Sequence, residues 1–291
     1  MYIRVPNTPG LNDVPSNQAT GKRYSPPFAT GGEYVLEKDA PKILTVLLGP
    51  SPYQSYIQQV MSTTAASRLP KNFLRIVSSP NDVPNVNLRK RFVTDGNKIV
   101  GGTIDRSTGT IYMVPAPGRR IDTRVEFVLH EAVHLFADPF MSLVDEKTFE
   151  TNHGRSCQPG LTDVGSFQRK YCFGFGEGAT QAITEQILNA QGISKYYHDR
   201  PYDEFTPPMY ELIKIFSLDK FARAYFWGAI QEFTKEMEWR WGPSWRNVAN
   251  FTSARKTKLA LNEIKRLELD YIKRRGPKGD FPDGQRYRNY A

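Results

Sequence analysis

Apolar residues recur at helical spacing through residues 40–68, after a lead in which large apolar residues are few. Positions i, i+3 and i+4 share one face of a helix, and the sequence Gly-Pro-Ser-Pro at 49–52 interrupts that pattern. Two helices are therefore predicted here. Residues 1–39 are rich in Pro, Gly, Asn, Ser and Thr, and we expect them to form an extended N-terminal lead along the surface.

The spacing of apolar residues becomes typical of strands after residue 71. Four strands are predicted, at residues 72–78, 89–94, 98–104 and 110–114. Asp95, Gly96 and Asn97 favour a hairpin turn between the second strand and the third. This part of the chain is therefore predicted to form a small β-sheet.

The helical period returns after residue 122, and the rest of the chain is predicted to be mainly helical. The predicted helices cover residues 123–138, 176–191, 207–216, 218–239 and 244–274. The last two carry large aromatic residues that we interpret as protein core: Phe221, Tyr225, Phe226, Trp227, Phe233, Trp239, Trp241 and Trp245. The pattern as a whole predicts an α+β fold.

The composition is that of a soluble globular protein, with 39% hydrophobic and 24% charged residues among 291. A net charge of +9 attracts nucleic acid, anionic lipid or acidic polymer. No nucleic-acid motif accompanies the charge, so a basic C-terminal tail that aids solubility is the preferred interpretation. No apolar stretch reaches the roughly 18 residues of a membrane span, and we expect no conventional secretory signal.

The sequence His130-Glu131-Ala-Val-His134 lies within the apolar helix predicted at 123–138. On a helix, His130 and His134 lie one turn apart on the same face, so both imidazoles can bind one zinc ion. Glu131 lies beside that face and is the expected general base. The alternative is a pair of core histidines, but two buried imidazoles and a carboxylate without a metal are costly.

The bounds of this helix are also marked in the sequence. Thr123 and Glu126 are predicted to form a capping box at its start. Asp138 precedes a proline, where a helix is expected to end.

The third zinc ligand is predicted to be Glu177, at the start of the helix expected at 176–191. Glycines on both sides let its backbone approach another helix closely. A polar stripe follows it and supplies expected partners for the ligands: Thr180, Gln181, Thr184 and Glu185. Two alternatives stay open. Glu177 is also favoured at a helix N-terminus by the helix dipole, and Asp163 is a rival ligand that is also explained as a turn residue.

The segments His130-Glu-Ala-Val-His134 and Glu177-Gly-Ala-Thr resemble the gluzincin group of zinc peptidases. Gly176 departs from the pattern, because that group often has Asn there. The separation of the two segments is similar to that in metallopeptidase effector domains of type VI secretion spike proteins. The metzincin pattern is excluded, since its third-ligand offsets hold Ala137 and Phe140.

The resemblance implies a zincin-like metallopeptidase domain over residues 40–291, with a mixed sheet before the first zinc helix. It implies hydrolysis of peptide bonds with one catalytic zinc ion, His130, His134 and Glu177 as ligands, and Glu131 as base. It also implies that the strand at 110–114 is the sheet edge, to which a peptide substrate adds by strand pairing.

A second donor is expected to stabilise the oxyanion beside the zinc ion. We select His198, with Tyr196, Tyr197 and His153 as alternatives, and a plain structural role stays open for each.

Cys157 and Cys172 lie between the two zinc-binding segments, and a disulfide between them would fit an oxidising compartment. We therefore expect a soluble bacterial toxin or effector that a dedicated secretion system exports. Its expected partners are a protein or peptide substrate, the secretion apparatus and a cognate immunity or inhibitor protein. A non-catalytic zinc-dependent binding module and a basic nucleic-acid-binding protein are the alternatives, and the presence of Glu131 argues against the first.

Overall fold

The computed structural model describes residues 24–63, 73–89, 101–105, 108–114, 123–137, 164–194 and 204–275, without the side chains of 164–175 and of positions 63, 87, 230, 231 and 253. The chain divides into two compact units. The first comprises Met1–Ala137 and Thr180–Asp199, and the second comprises Asp138–Ala179 and Arg200–Ala291. The predicted boundary at residue 39 stays a prediction.

In the sequence of the first unit, helices come both before and after the last strand of the sheet. They are α1 (Ala40–Leu48), α2 (Gln54–Thr63), α3 (Val86–Arg89), α4 (Val125–Phe136) and the end of α5 (Val164–Ala190). The two helices predicted within 40–68 are confirmed, with the break where the Gly-Pro-Ser-Pro sequence interrupts the pattern. Helix α1 buries Ile43, Val46 and Leu47 and packs against α4.

Within the described residues, a mixed three-stranded sheet precedes α4, as expected. Its strands are β1 (Leu74–Ile76), β2 (Gly102–Asp105) and β3 (Thr110–Met113), in the order β1-β3-β2. Strand β1 pairs parallel with β3, in the register Leu74 with Ile111, and β2 pairs antiparallel with β3, in the register Gly102 with Met113. Strands β2 and β3 both pack against α4. The fold is α+β.

Two sequence expectations about this sheet are corrected. Strand β3, the one nearest α4 in sequence, is central and not the edge, and β2 is an edge of the sheet within the described residues. Arg89, predicted to begin a strand, is the last residue of α3. The remainder of that predicted strand and the turn at 95–97 lie outside the described residues.

Helix α4 begins without the predicted capping box. Its N-cap residue is Arg124, and no side chain caps the helix. The first backbone amides of α4 donate instead to carbonyls near the N-terminal end of the described chain. Val125 N donates to Glu33 O at 2.8 Å, and Glu126 N donates to Gly31 O at 3.1 Å. Because these carbonyls accept bonds at the helix start, the Glu126 side chain is not needed as a cap there.

The described residues of the second unit are mainly helical. After part of α5 it contains α6 (Thr206–Phe216), α7 (Leu218–Phe226), α8 (Ile230–Trp241), α9 (Trp245–Ser253) and α10 (Thr257–Arg275). Two long predicted helices are therefore each divided in two. Gly228 (φ 72°) follows α7 and Arg255 (φ 57°) follows α9, and a left-handed residue ends a helix. No helix among these described residues, or elsewhere in the described ranges, is long and apolar enough to cross a membrane.

Of the eight aromatic residues that the sequence places in the core, all but two are buried in the second unit. Phe216 contacts the ring of Phe233 at a centroid distance of 5.4 Å and that of Trp241 at 5.0 Å. The interpretation as core is wrong for Trp227 and Trp239, which are 40% and 43% exposed. The other six aromatic residues singled out from the sequence are buried.

Glu268 of α10 holds α8 in place. It accepts hydrogen bonds from Arg240 Nε at 2.6 Å, from Arg240 Nη2 at 2.5 Å and from Trp241 Nε1 at 2.6 Å. The bonds to Glu268 raise the pKa of the Arg240 guanidinium, since they favour its charged form. The guanidinium also lies 4.2 Å from the centre of the Tyr271 ring.

Replacing Glu268 with Gln is expected to lower the free energy of unfolding by about 2 kcal/mol, because the amide cannot accept all three bonds and leaves Arg240 without its countercharge. Chemical denaturation of the purified variant measures the change. Glu211→Gln is the control, since it removes an exposed pair with Lys214 and is expected to cost less than about 0.5 kcal/mol. Equal effects of the two substitutions would contradict the structural role of Glu268.

Candidate metal centre

Helix α4 brings His130 and His134 together, as their spacing predicts. The side chains are buried, at 2% and 7% exposure. Their rings lie 4.8 Å apart between centroids and are inclined at 77°. The two Nε2 atoms are 3.1 Å apart. Both imidazoles therefore present the same nitrogen to a shared position.

The helix that carries Glu177 begins earlier than predicted. Helix α5 spans 27 residues from Val164 to Ala190, so Glu177 lies well inside it. The helix-dipole explanation for Glu177 is therefore excluded, since the dipole acts only on the terminal turns. Glycines at 174, 176 and 178 lower helix propensity, which is why the sequence pattern placed the start at residue 176.

Gly178 provides the close approach expected of the glycines around Glu177. A Cβ atom at this position would lie 2.8 Å from the backbone oxygen of Phe205 and 3.1 Å from Cγ of Met209. No larger residue fits without displacing the backbone there. The adjacent Glu177 is half-buried.

His130, His134 and Glu177 form a group that could hold a metal ion. Their ligand atoms, one from each residue, all lie within 4.8 Å of one another. Glu131 is not one of the three; it is half-buried on α4, immediately after His130. The three predicted ligands are thus brought together. The predicted base directly follows His130 in the sequence and is not part of this group.

Gln181 determines which nitrogen of His130 faces the metal position. Its amide nitrogen donates to Glu126 Oε1 at 2.9 Å and to Glu185 Oε1 at 3.3 Å. Because carboxylates accept these bonds, the amide oxygen must face the other way, where it lies 3.0 Å from His130 Nδ1. Nδ1 therefore carries the proton, and the lone pair of Nε2 is available to a metal.

Thr180 occupies the corresponding place beside His134. Its hydroxyl oxygen lies 3.2 Å from His134 Nδ1 and can accept its proton. Thr184 donates to the backbone oxygen of Thr180 at 2.8 Å and belongs to the next turn of α5. The polar stripe predicted after Glu177 is thus confirmed as the source of the partners of both histidines.

The donor set fits a divalent transition metal. Two imidazole nitrogens and one carboxylate leave a fourth position open in a tetrahedral site. Two nitrogens bound to one tetrahedral ion lie about 3.3 Å apart, close to the 3.1 Å between the two Nε2 atoms. Each Nδ1 already has a partner on α5.

Several predicted site residues lie outside the described residues: His198, His153, Tyr196, Tyr197, Asp163 and Cys157. The backbone of Cys172 belongs to α5, and its side chain is outside the description. The roles predicted for these residues and the proposed disulfide stay predictions.

Glu126 is a residue of the candidate site that the sequence interpretation missed. It was assigned to the start of α4, and instead it contacts the amide of Gln181. A signal was present, because Glu126 precedes His130 by one turn and so shares its buried helix face.

No protein-family model matches the sequence, and comparisons with curated proteins and with solved structures likewise find no match. A functional assignment for this chain therefore depends on the geometry and chemistry of the metal centre.

Gln181→Met is expected to weaken divalent-metal binding by about 10- to 100-fold, since methionine fills similar space but accepts no proton from His130 Nδ1. Competition with a chromogenic chelator measures the affinity. Thr184→Val is the matched control on the next turn, because Thr184 bonds to the backbone rather than to a histidine. Unchanged affinity in Gln181→Met would show that the amide does not orient His130.

Proposed function

We propose that the chain is a zinc-dependent metallopeptidase of gluzincin type. The observation that carries the proposal is the grouping of His130, His134 and Glu177, with their ligand atoms within 4.8 Å of one another. The sequence adds Glu131 directly after the first histidine, where a purely structural metal site needs no carboxylate.

Zinc is the proposed metal because of the ligand types. Two histidines and one glutamate with an open fourth position are the ligand set of many catalytic zinc sites. The partners of both Nδ1 atoms support this, since zinc-binding histidines generally donate their second N–H to a protein acceptor.

A zinc ion held by His130, His134 and Glu177 would supply Lewis-acid chemistry at this site and make a water molecule more acidic. Glu131 accepts the proton of the attacking water and later donates it to the leaving amine of the substrate. Gln181 and Thr180 hold the two imidazoles in the orientation and tautomer that the reaction requires. His198 is retained as the proposed oxyanion donor.

Strand β2 is the proposed position for the substrate. It is an edge of the sheet within the described residues, and it packs against α4, the helix that carries Glu131. An extended peptide can pair with such an edge and so pass beside the base. This replaces the strand at 110–114, which lies in the middle of the sheet.

The biological setting is proposed from the sequence. The net charge of +9 and the two cysteines support an exported bacterial toxin that acts in an oxidising, anionic environment. Its partners would then include a secretion apparatus, a protein or peptide substrate and a cognate immunity protein.

Glu131→Gln is expected to retain one zinc per chain and to lose peptide hydrolysis by at least about 100-fold, since glutamine cannot accept the proton. Metal analysis and a peptide-cleavage assay on the same sample measure both quantities. Addition of a chelator should abolish activity in the unsubstituted protein, and zinc should restore it. Hydrolysis that survives Glu131→Gln would contradict the mechanism, and a chain that binds zinc without any hydrolysis would favour a binding module.

Glu177→Ala is expected to lower zinc affinity by far more than Asp163→Ala, because Glu177 belongs to the histidine cluster. His130→Ala and His134→Ala serve as positive controls and should lose the ion. Zinc analysis after dialysis against a weak chelator separates the variants. The reverse order would make Asp163 the third ligand and exclude the gluzincin assignment.

A further inference from the structure

Gly102, in strand β2, lies directly against the side chain of Glu131. A Cβ atom built on Gly102 would lie 2.8 Å from Cγ of Glu131, 2.9 Å from Cδ and 3.0 Å from Oε1. These separations are shorter than carbon–carbon contact distances in a packed protein, which are about 3.5–4.0 Å. The Glu131 side chain thus occupies the volume that any other residue at 102 would need.

Backbone conformation does not explain the glycine. Gly102 is not among the described glycines with positive φ, which are Gly109, Gly192, Gly228 and Gly242. Glycine also weakens a strand, because it loses more entropy on folding and packs no side chain. Glycine is therefore required at position 102 because the Glu131 side chain leaves no room for a Cβ atom.

The strand that carries Gly102 is held firmly in place. Gly102 pairs with Met113 of β3, and the adjacent Gly101 accepts a hydrogen bond from Val114 N at 3.0 Å. Strand β2 also packs against α4. The backbone at Gly102 thus forms a fixed surface on which Glu131 rests.

We propose that Gly102 is a positioning residue for Glu131, and that the β2 backbone sets the place of the carboxylate through direct contact. Any side chain at position 102 would meet Cγ and Cδ as well as the carboxylate oxygen, so the whole side chain would have to take another rotamer. The catalytic consequence of this contact rests on the proposed function. The contact itself does not.

A thermodynamic cycle tests the contact without reference to catalysis. Gly102→Ala and Glu131→Ala are made singly and together in the full chain, and the midpoint of chemical denaturation is measured for each. We expect Gly102→Ala to lower the midpoint when Glu131 is present and to lower it much less when residue 131 is alanine. Equal shifts in the two backgrounds would overturn the proposal. If Gly102→Ala alone does not fold, a folded double variant supports the contact, and an unfolded one contradicts it.

Gly101→Ala is the matched control. It changes the neighbouring residue in the same way, but a Cβ atom there meets nothing within 4 Å. The midpoint should stay close to that of the unsubstituted chain in both backgrounds. A shift as large as that of Gly102→Ala would mean that the strand, and not Glu131, is the source of the effect.

Metal content and kinetics then connect the contact to the reaction. Gly102→Ala should keep its zinc and lose about 100-fold in kcat with little change in KM, since a displacement of about 1 Å at a reacting group costs roughly that factor. Gly101→Ala should keep full activity. Unchanged kcat in Gly102→Ala would overturn the positioning role. Coupling in the cycle with no hydrolysis by the unsubstituted chain would leave the contact established and the peptidase proposal wrong.

Discussion

The side-chain amide of Gln181 joins the two helices that carry the three candidate ligands. It donates to Glu126 on α4 and to Glu185 on its own helix, α5, and its oxygen faces His130 Nδ1. Its two ends differ chemically, and only one orientation satisfies two carboxylates and an imidazole N–H together. A slip of one helical turn between α4 and α5 would separate Gln181 from Glu126 and from His130 at once. This amide therefore contributes to the register between α4 and the part of α5 that belongs to the first unit.

The polar side chains around the candidate site are buried, so their hydrogen bonds matter for stability. Glu126, Gln181 and Glu185 are each 4% exposed, and the imidazoles of His130 and His134 are buried beside them. Polar groups in such surroundings destabilise a protein unless they are paired. The hydrogen bonds pair both Nδ1 atoms but direct the two Nε2 atoms at each other. A divalent cation held by the two Nε2 atoms and Glu177 would accept both nitrogen lone pairs and offset negative charge from the nearby carboxylates.

The sequence predicted the centre of this site better than its surroundings. His130 and His134 are set by helical periodicity, and the polar stripe from Thr180 to Glu185 follows from the same period. The early start of α5 was missed because three glycines weaken a helix locally, whereas Gly178 is required by its close approach to Phe205. The central place of β3 and the partner of Glu126 depend on chain segments distant in sequence. Local pattern carries no information about which distant carbonyl or amide completes a bond.

The two candidate histidine ligands and the proposed base, Glu131, contact different parts of the first unit. The histidines depend on side chains of α5, through Gln181 and Thr180. Glu131 depends on the sheet, through the bare backbone of Gly102. Contact with backbone limits where the Glu131 side chain can lie, whichever residues orient the histidines. Metal affinity and the proposed proton transfer would then depend on different neighbours of α4, the first on α5 and the second on β2. The contact with Glu131 gives a reason for glycine at position 102, where strand propensity alone would disfavour it.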